Sequence, residues 1–222
     1  MQRRSPLRFF ALVFGLSIPV WIAGGLSGLQ LLPGLPVSAL MAFAPAIAAV
    51  GLAYAGNGST DARALLRRCF DYGRIGSKVW YLPALLLPPA IMAAAYGLMR
   101  WSGVPMPEPG IPLPAVLALF LAFLVGGLGE ELGWCGYAIE PLQARWGALG
   151  ASVLLGLVWA AWHLVPLLQV HRAPAWIAWW SLATVGMRVL TTWIYNNTGR
   201  SVFAAALFHA MGNMGWMLFP SW

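Results

Sequence analysis

Seven stretches of about twenty residues, almost free of charge and separated by short polar segments, limit this chain more than any other feature. They run over 9–31, 37–56, 80–100, 113–139, 149–170, 175–197 and 202–220. At about 1.5 Å of rise per residue, each is long enough as a helix to cross roughly 30 Å of hydrocarbon. The stretches are continuous rather than alternating, which excludes a transmembrane barrel. Of the 222 residues, 60% are apolar and 9% charged. A soluble domain carries nearer 25% charge, so too little is present here to clothe a water-facing surface. The expected fold is all-α: a polytopic transmembrane helix bundle of about seven spans, forming a single domain over 1–222.

The charge pattern sets the orientation. The formal net charge is +7, and the basic residues lie between the apolar stretches, where anionic lipid rather than nucleic acid is the partner. With the N-terminus in the cytoplasm, the inner segments hold Arg3, Arg4, Arg8, Arg63, Arg67, Arg68, Arg74, Lys78, Arg145 and Arg200. The outer loops hold only Arg100 and Arg172. That asymmetry predicts a multi-pass cell-membrane protein with its C-terminus outside. Trp80, Tyr81, Trp101, Trp146, Trp176 and Trp222 stand near the predicted interfaces. The first stretch reads as a retained span rather than a cleaved signal, because it exceeds twenty residues and lacks an A-x-A site. Between the second and third spans, Ser59 or Thr60 can cap a short helix through Phe70. Either its apolar residues Leu65, Leu66, Cys69 and Phe70 lie on the inner leaflet, or the segment is a solvated loop with a charged face. Two cysteines, Cys69 and Cys135, imply no disulfide framework.

Ionisable side chains inside hydrocarbon are costly and point to function. Glu130, Glu131, His163, Arg188 and His209 occupy such positions on four spans. Counted along each helix from its inner end, Glu130, His209, His163 and Arg188 lie about 13, 10, 21 and 13 Å deep. Four helices can therefore present them to one cavity. A lone membrane histidine more often serves as a structural hydrogen bonder, so the convergence carries the reading. Glu131 and Cys135 share a helix face, as do Glu130 and Trp134, and His209 and Asn213. Trp159 stands one turn before His163. Gly126, Gly127, Gly129, Gly133 and Gly136 surround the glutamates and permit close helix approach.

A glutamate, two histidines and an asparagine in a partly dry cavity suit peptide hydrolysis by activated water. Glu130 is the candidate general base. His163 would hold the same water, and His209 with Asn213 would donate to the oxyanion. No G-x-S-x-G marks a nucleophilic serine, and no H-E-x-x-H marks a zinc protease. Two histidines and a carboxylate are nonetheless a known zinc set. A divalent metal such as Zn²⁺ on Glu130, His163 and His209 is thus the alternative to a reaction that requires no cofactor.

The motifs resemble those of a known family. Glu130-Glu131-Leu132-Gly133-Trp134-Cys135-Gly136 is similar to the E-E-x-x-W-R-G signature of the CAAX protease and bacteriocin-processing (CPBP, Abi) family of intramembrane proteases. Trp159 through His163 resembles its second motif, and His209 through Asn213 its third, H-x-x-x-N. The stretch 192–201 is also similar, and clear likeness spans 120–217. The resemblance implies a glutamate-dependent intramembrane endopeptidase acting on a peptide or protein C-terminus near the cytoplasmic leaflet. It implies Glu130, His163, His209 and Asn213 as catalytic, with Glu131, Trp134, Trp159 and Arg188 in support. The family has arginine where this chain has Cys135. Glu131 then needs another cation, and Arg188, at similar depth, is the expected partner. Two readings of other classes stand beside the peptidase: a non-catalytic membrane binding or immunity protein that keeps the cavity, and a small transporter with a midplane proton site.

Overall fold

The computed structural model describes residues 4–32, 35–108 and 113–219. Arg3 and Trp222, used above for orientation and interface, lie outside the described residues. The main elements are α1 Pro6–Ser27, α2 Ala44–Asn57, α3 Ser59–Leu66, α4 Tyr81–Trp101, α5 Leu113–Gly133, α6 Ile139–Gln169, α7 Pro174–Asn197 and α8 Val202–Leu218. A 3-10 stretch, Val37–Phe43, leads into α2. Each expected span corresponds to helix over most of its length; the first ends earlier, at Ser27, and gives way to a strand at Gln30–Leu32. Among the described residues, four helical runs are long and apolar enough to cross a membrane: Pro6–Ser27, Val37–Asn57, Lys78–Trp101 and Ala115–Gln169. The last is 55 residues long, too long for one crossing. It divides at Gly147, whose φ of 67° and ψ of 175° break the helix inside α6. With α7 and the shorter α8, the chain is a multi-pass membrane protein.

The helices close into a ring. Neighbours pack in the order α1, α2, α5, α8, α7, α6 and back to α1, while α4 packs on α8. Large apolar side chains such as Leu26, Leu117, Trp179 and Leu182 face outward, as a lipid-bathed exterior requires. Local chemistry fixes the ends. Ser5 caps α1 with Pro6 in its first turn, and Gly28 ends it in the left-handed conformation. Asp71 and Ser201 together cap α8: Asp71 Oδ1 accepts from Ser201 Oγ at 2.7 Å and Phe203 N at 3.1 Å, and Oδ2 accepts from Val202 N at 3.2 Å. A carboxylate there satisfies orphan amides and faces the positive end of the helix that carries His209.

The segment after α2 departs from expectation. Its helix ends at Leu66 and continues as a 3-10 stretch over Arg67–Arg74. The N-cap is Gly58, with a φ of 69°, and neither Ser59 nor Thr60 caps through its side chain. Leu65 is buried, whereas Leu66 and Phe70 are 47% and 73% exposed, so the apolar face splits between core and exterior. The change from α to 3-10 geometry rotates Phe70 off the line that α-helical spacing would give it. A two-stranded antiparallel ribbon, Gln30–Leu32 with Leu35–Pro36, is also present and had no counterpart in the sequence reading.

Candidate active site

Glu130 and Glu131 enter from α5 at successive positions, so their side chains diverge by about 100° and meet different neighbours. The helix sits between α2 and α8 at close range. A Cβ at Gly133 would lie 2.6 Å from the Pro45 carbonyl oxygen, and one at Gly127 would lie 3.0 Å from the Ala206 oxygen. Just after the glutamates, Trp134–Ala138 widens into a π turn, closed by the Ile139 amide donating to the Trp134 carbonyl. Such turns occur often beside functional groups. Here the turn presents the Gly136 carbonyl to two arginines, Arg4 Nη1 at 2.9 Å and Arg68 Nη1 at 3.0 Å.

The two carboxylates have separate partners. Glu130 Oε2 accepts from Trp159 Nε1 at 2.6 Å and from Trp134 Nε1 at 3.4 Å. Its other oxygen, Oε1, lies 3.9 Å from His209 Nε2. Glu131 is fully buried; Arg188 Nη1 donates to its Oε2 at 2.7 Å, and His209 Nδ1 stands 2.9 Å from its Oε1. The cation that Glu131 needed is thus Arg188, which also approaches Cys135 Sγ at 3.9 Å. A carboxylate beside arginine only accepts, so His209 Nδ1 carries the proton and Nε2 faces Glu130.

Trp159 lies at the centre. Its indole N–H holds Glu130, its face carries the Arg188 guanidinium 4.2 Å from the ring centroid, and the rings of His209 and His163 each stand 5.3 Å away. His163 Nδ1 lies 2.9 Å from the Trp159 carbonyl oxygen, which can only accept. Nδ1 therefore bears the hydrogen and Nε2 keeps its lone pair. Trp162 and Trp180 pack against the same imidazole, with centroids at 4.8 and 5.3 Å. Asn213 is half-buried one turn along α8 from His209 and makes no side-chain hydrogen bond among the described residues. The structure thus gathers Glu130, Glu131, Trp134, Trp159, Arg188 and His209 by direct contact. His163 joins them through Trp159, and Asn213 through its place on α8.

A second network, at the basic end of the bundle, escaped sequence reasoning. Arg68 Nη2 donates to Tyr195 Oη at 2.9 Å and to the Arg200 carbonyl at 2.7 Å, and the Tyr195 hydroxyl donates to Glu140 at 2.8 Å. Arg68 ties the segment after α3 to the π turn and to the α7–α8 corner. No local signal separates it from the neighbouring arginines. Among the described residues, no group of three His, Cys, Asp or Glu side chains stands where it could hold one metal ion. Nδ1 of each site histidine is engaged, on a carbonyl or a carboxylate, which leaves Nε2 of each as the nitrogen turned to any further ligand.

Residues 112–215 match the family model described as type II CAAX prenyl endopeptidase Rce1-like. Over this segment the chain is similar to the Rce1-like family. All eight candidate site residues fall inside the matched segment, whereas Arg4 and Arg68 fall outside it. A curated relative, CAAX prenyl protease 2 of Methanococcus maripaludis, is 25% identical over 239 residues, covering 95% of this chain and 83% of the relative.

Proposed function

We propose that this chain is an intramembrane endopeptidase of the CAAX type, in which Glu130 activates water against a peptide bond near the C-terminus of its substrate. The observation that carries this reading is the fixation of Glu130. One oxygen is held by the Trp159 indole at 2.6 Å, and the other faces His209 Nε2 across 3.9 Å inside the bundle. The free oxygen is the base. A water on it can direct its second hydrogen to the lone pair on His163 Nε2. Glu130 takes one proton as the water oxygen adds to the scissile carbonyl carbon. Negative charge then develops on the carbonyl oxygen. His209 stabilises it from Nε2–H, and Asn213 from its side-chain amide. Donation from both nitrogens of His209 requires the imidazolium, and Glu131 supplies its countercharge. Glu130 returns its proton to the leaving amine as the C–N bond breaks, giving a shortened chain that ends in a new carboxylate and a released C-terminal peptide with a new amine.

The activity in the relative's name and the Rce1-like match support a protein or peptide substrate held in the bilayer. The gathering of Arg4, Arg68, Arg74 and Arg200 at one end, by shared contacts, supports an N-terminus and a substrate approach on the cytoplasmic side. The test uses purified protein in liposomes with peptides bearing free C-termini, read by mass spectrometry. A discrete C-terminal fragment, formed equally with 1,10-phenanthroline present, is expected. Binding without cleavage would replace the enzyme with a binding protein. Loss to chelator, restored by Zn²⁺, would assign the water to a metal.

A further inference from the structure

Arg188 holds two lines of the site at once. Along one, Nη1 donates to Glu131 Oε2 at 2.7 Å, and the other oxygen of Glu131 engages His209 Nδ1 at 2.9 Å. Along the other, the guanidinium lies 4.2 Å from the centroid of Trp159, whose N–H reaches Glu130 at 2.6 Å. The side chain is 0% exposed, yet Nε and Nη2 have no hydrogen-bond partner among the described residues. A buried cation with unused donors is a poor device for stability alone, since apolar side chains fill such space at less cost. The atoms it orders are those that face the candidate water. We propose that Arg188 is the positioning residue of this site, aiming Glu130 through Trp159 and His209 through Glu131.

The two lines can be separated. Cys135 lies one turn beyond Glu131, and its Sγ is 3.9 Å from Arg188 Nη1, so the two side chains meet in the same space. An arginine at 135 could supply Glu131 with a cation from its own helix, but it would arise from α5 rather than from beneath the Trp159 face. The proposal therefore predicts that Cys135→Arg in an Arg188→Met background restores His209 while leaving Glu130 loosely held.

The kinetic part rests on the peptidase reading; the structural part does not. Protein labelled with ¹⁵N-histidine has only three imidazoles to assign, His163, His171 and His209. The wild type should show a hydrogen-bonded Nδ1–H on His209, lost in Arg188→Met and regained in Cys135→Arg/Arg188→Met. Turnover should fall about 30-fold or more in Arg188→Met with KM within about threefold, and the double variant should recover about tenfold of it. If Arg188→Met does not fold, Arg188→Lys carries the test: the His209 signal is kept and kcat falls about tenfold, because the flat contact on Trp159 is gone. An unchanged His209 resonance in Arg188→Met, or kcat within about threefold of wild type, overturns the proposal. Absence of turnover in the wild type overturns the peptidase reading instead, and the resonance still decides the positioning role.

Discussion

The Glu131–Arg188 pair makes a quantitative demand on stability. Both side chains are 0% exposed, and the pair closes at 2.7 Å. Glu131→Leu strands the guanidinium, whose Nε and Nη2 already lack partners among the described residues, and leaves the Nδ1 donor of His209 unmet. Breaking a buried pair from one side costs about 3–5 kcal/mol. An orphaned buried donor adds about 1–3 kcal/mol. Glu131→Leu should therefore cost about 4–8 kcal/mol by those two terms. Glu131→Leu/Arg188→Met removes both charges and leaves only the histidine term, so it should regain about 3–5 kcal/mol. For a chain of this size, 1 kcal/mol moves Tm by about 2–4 °C, which puts the double variant about 6–20 °C above the single. The assay is intrinsic tryptophan fluorescence during a thermal ramp in detergent, for which the 13 tryptophans give ample signal. Equal Tm values for single and double variants would refute the reasoning, because the stranded charge would then carry no cost.

Three further outcomes follow from the geometry. Trp159→Phe removes the indole donor on Glu130 and should lower kcat about 10- to 100-fold, since hydrogen bonds to charged groups are worth about 1.5–3 kcal/mol; steady-state kinetics showing less than threefold change would contradict it. Gly133→Ala drives a Cβ to 2.6 Å from Pro45 and should lower Tm, whereas Gly126→Ala, with nothing within 4 Å, should leave Tm level or higher by the same thermal ramp. Burial, and then the charge of Asp71, push the Cys69 thiol above its ordinary value, so the uncharged thiol dominates at neutral pH. Maleimide labelling of Cys69 at pH 7.5 should lag well behind an unhindered cysteine and quicken as pH rises.

Much of the site was legible because hydrocarbon makes polar groups conspicuous. Glu131 lacked a cation on its own helix, and Arg188 was the one arginine or lysine in the middle of a span, so the pair could be read without coordinates. Span positions were legible for the same reason. The π turn at Trp134–Ala138 was not, because an i+5 bond leaves no mark on hydrophobic periodicity. Nor was Arg68: a basic side chain beside the inner leaflet can turn to lipid or to a carbonyl equally well. What decides is the Gly136 carbonyl, 68 residues away, and Tyr195, 127 residues away. The central place of Trp159 was likewise hidden. Its spacing placed it near His163, but its reach to Glu130 depends on how α5 and α6 meet around the π turn. The expected grouping of Leu65, Leu66, Cys69 and Phe70 on one side does not hold, since 3-10 geometry from Arg67 onward changes which residues share a side.

The account depends most on Glu130 as the group that takes a proton from water. The direct measurement is single-turnover cleavage by wild type and Glu130→Gln in liposomes, with substrate affinity measured on the same samples. The amide keeps the size of the side chain and an acceptor for the Trp159 indole but cannot act as the base. Cleavage should fall by about a thousandfold or more while affinity stays within about threefold. Cleavage by Glu130→Gln at a tenth of the wild-type rate or faster would place the base elsewhere.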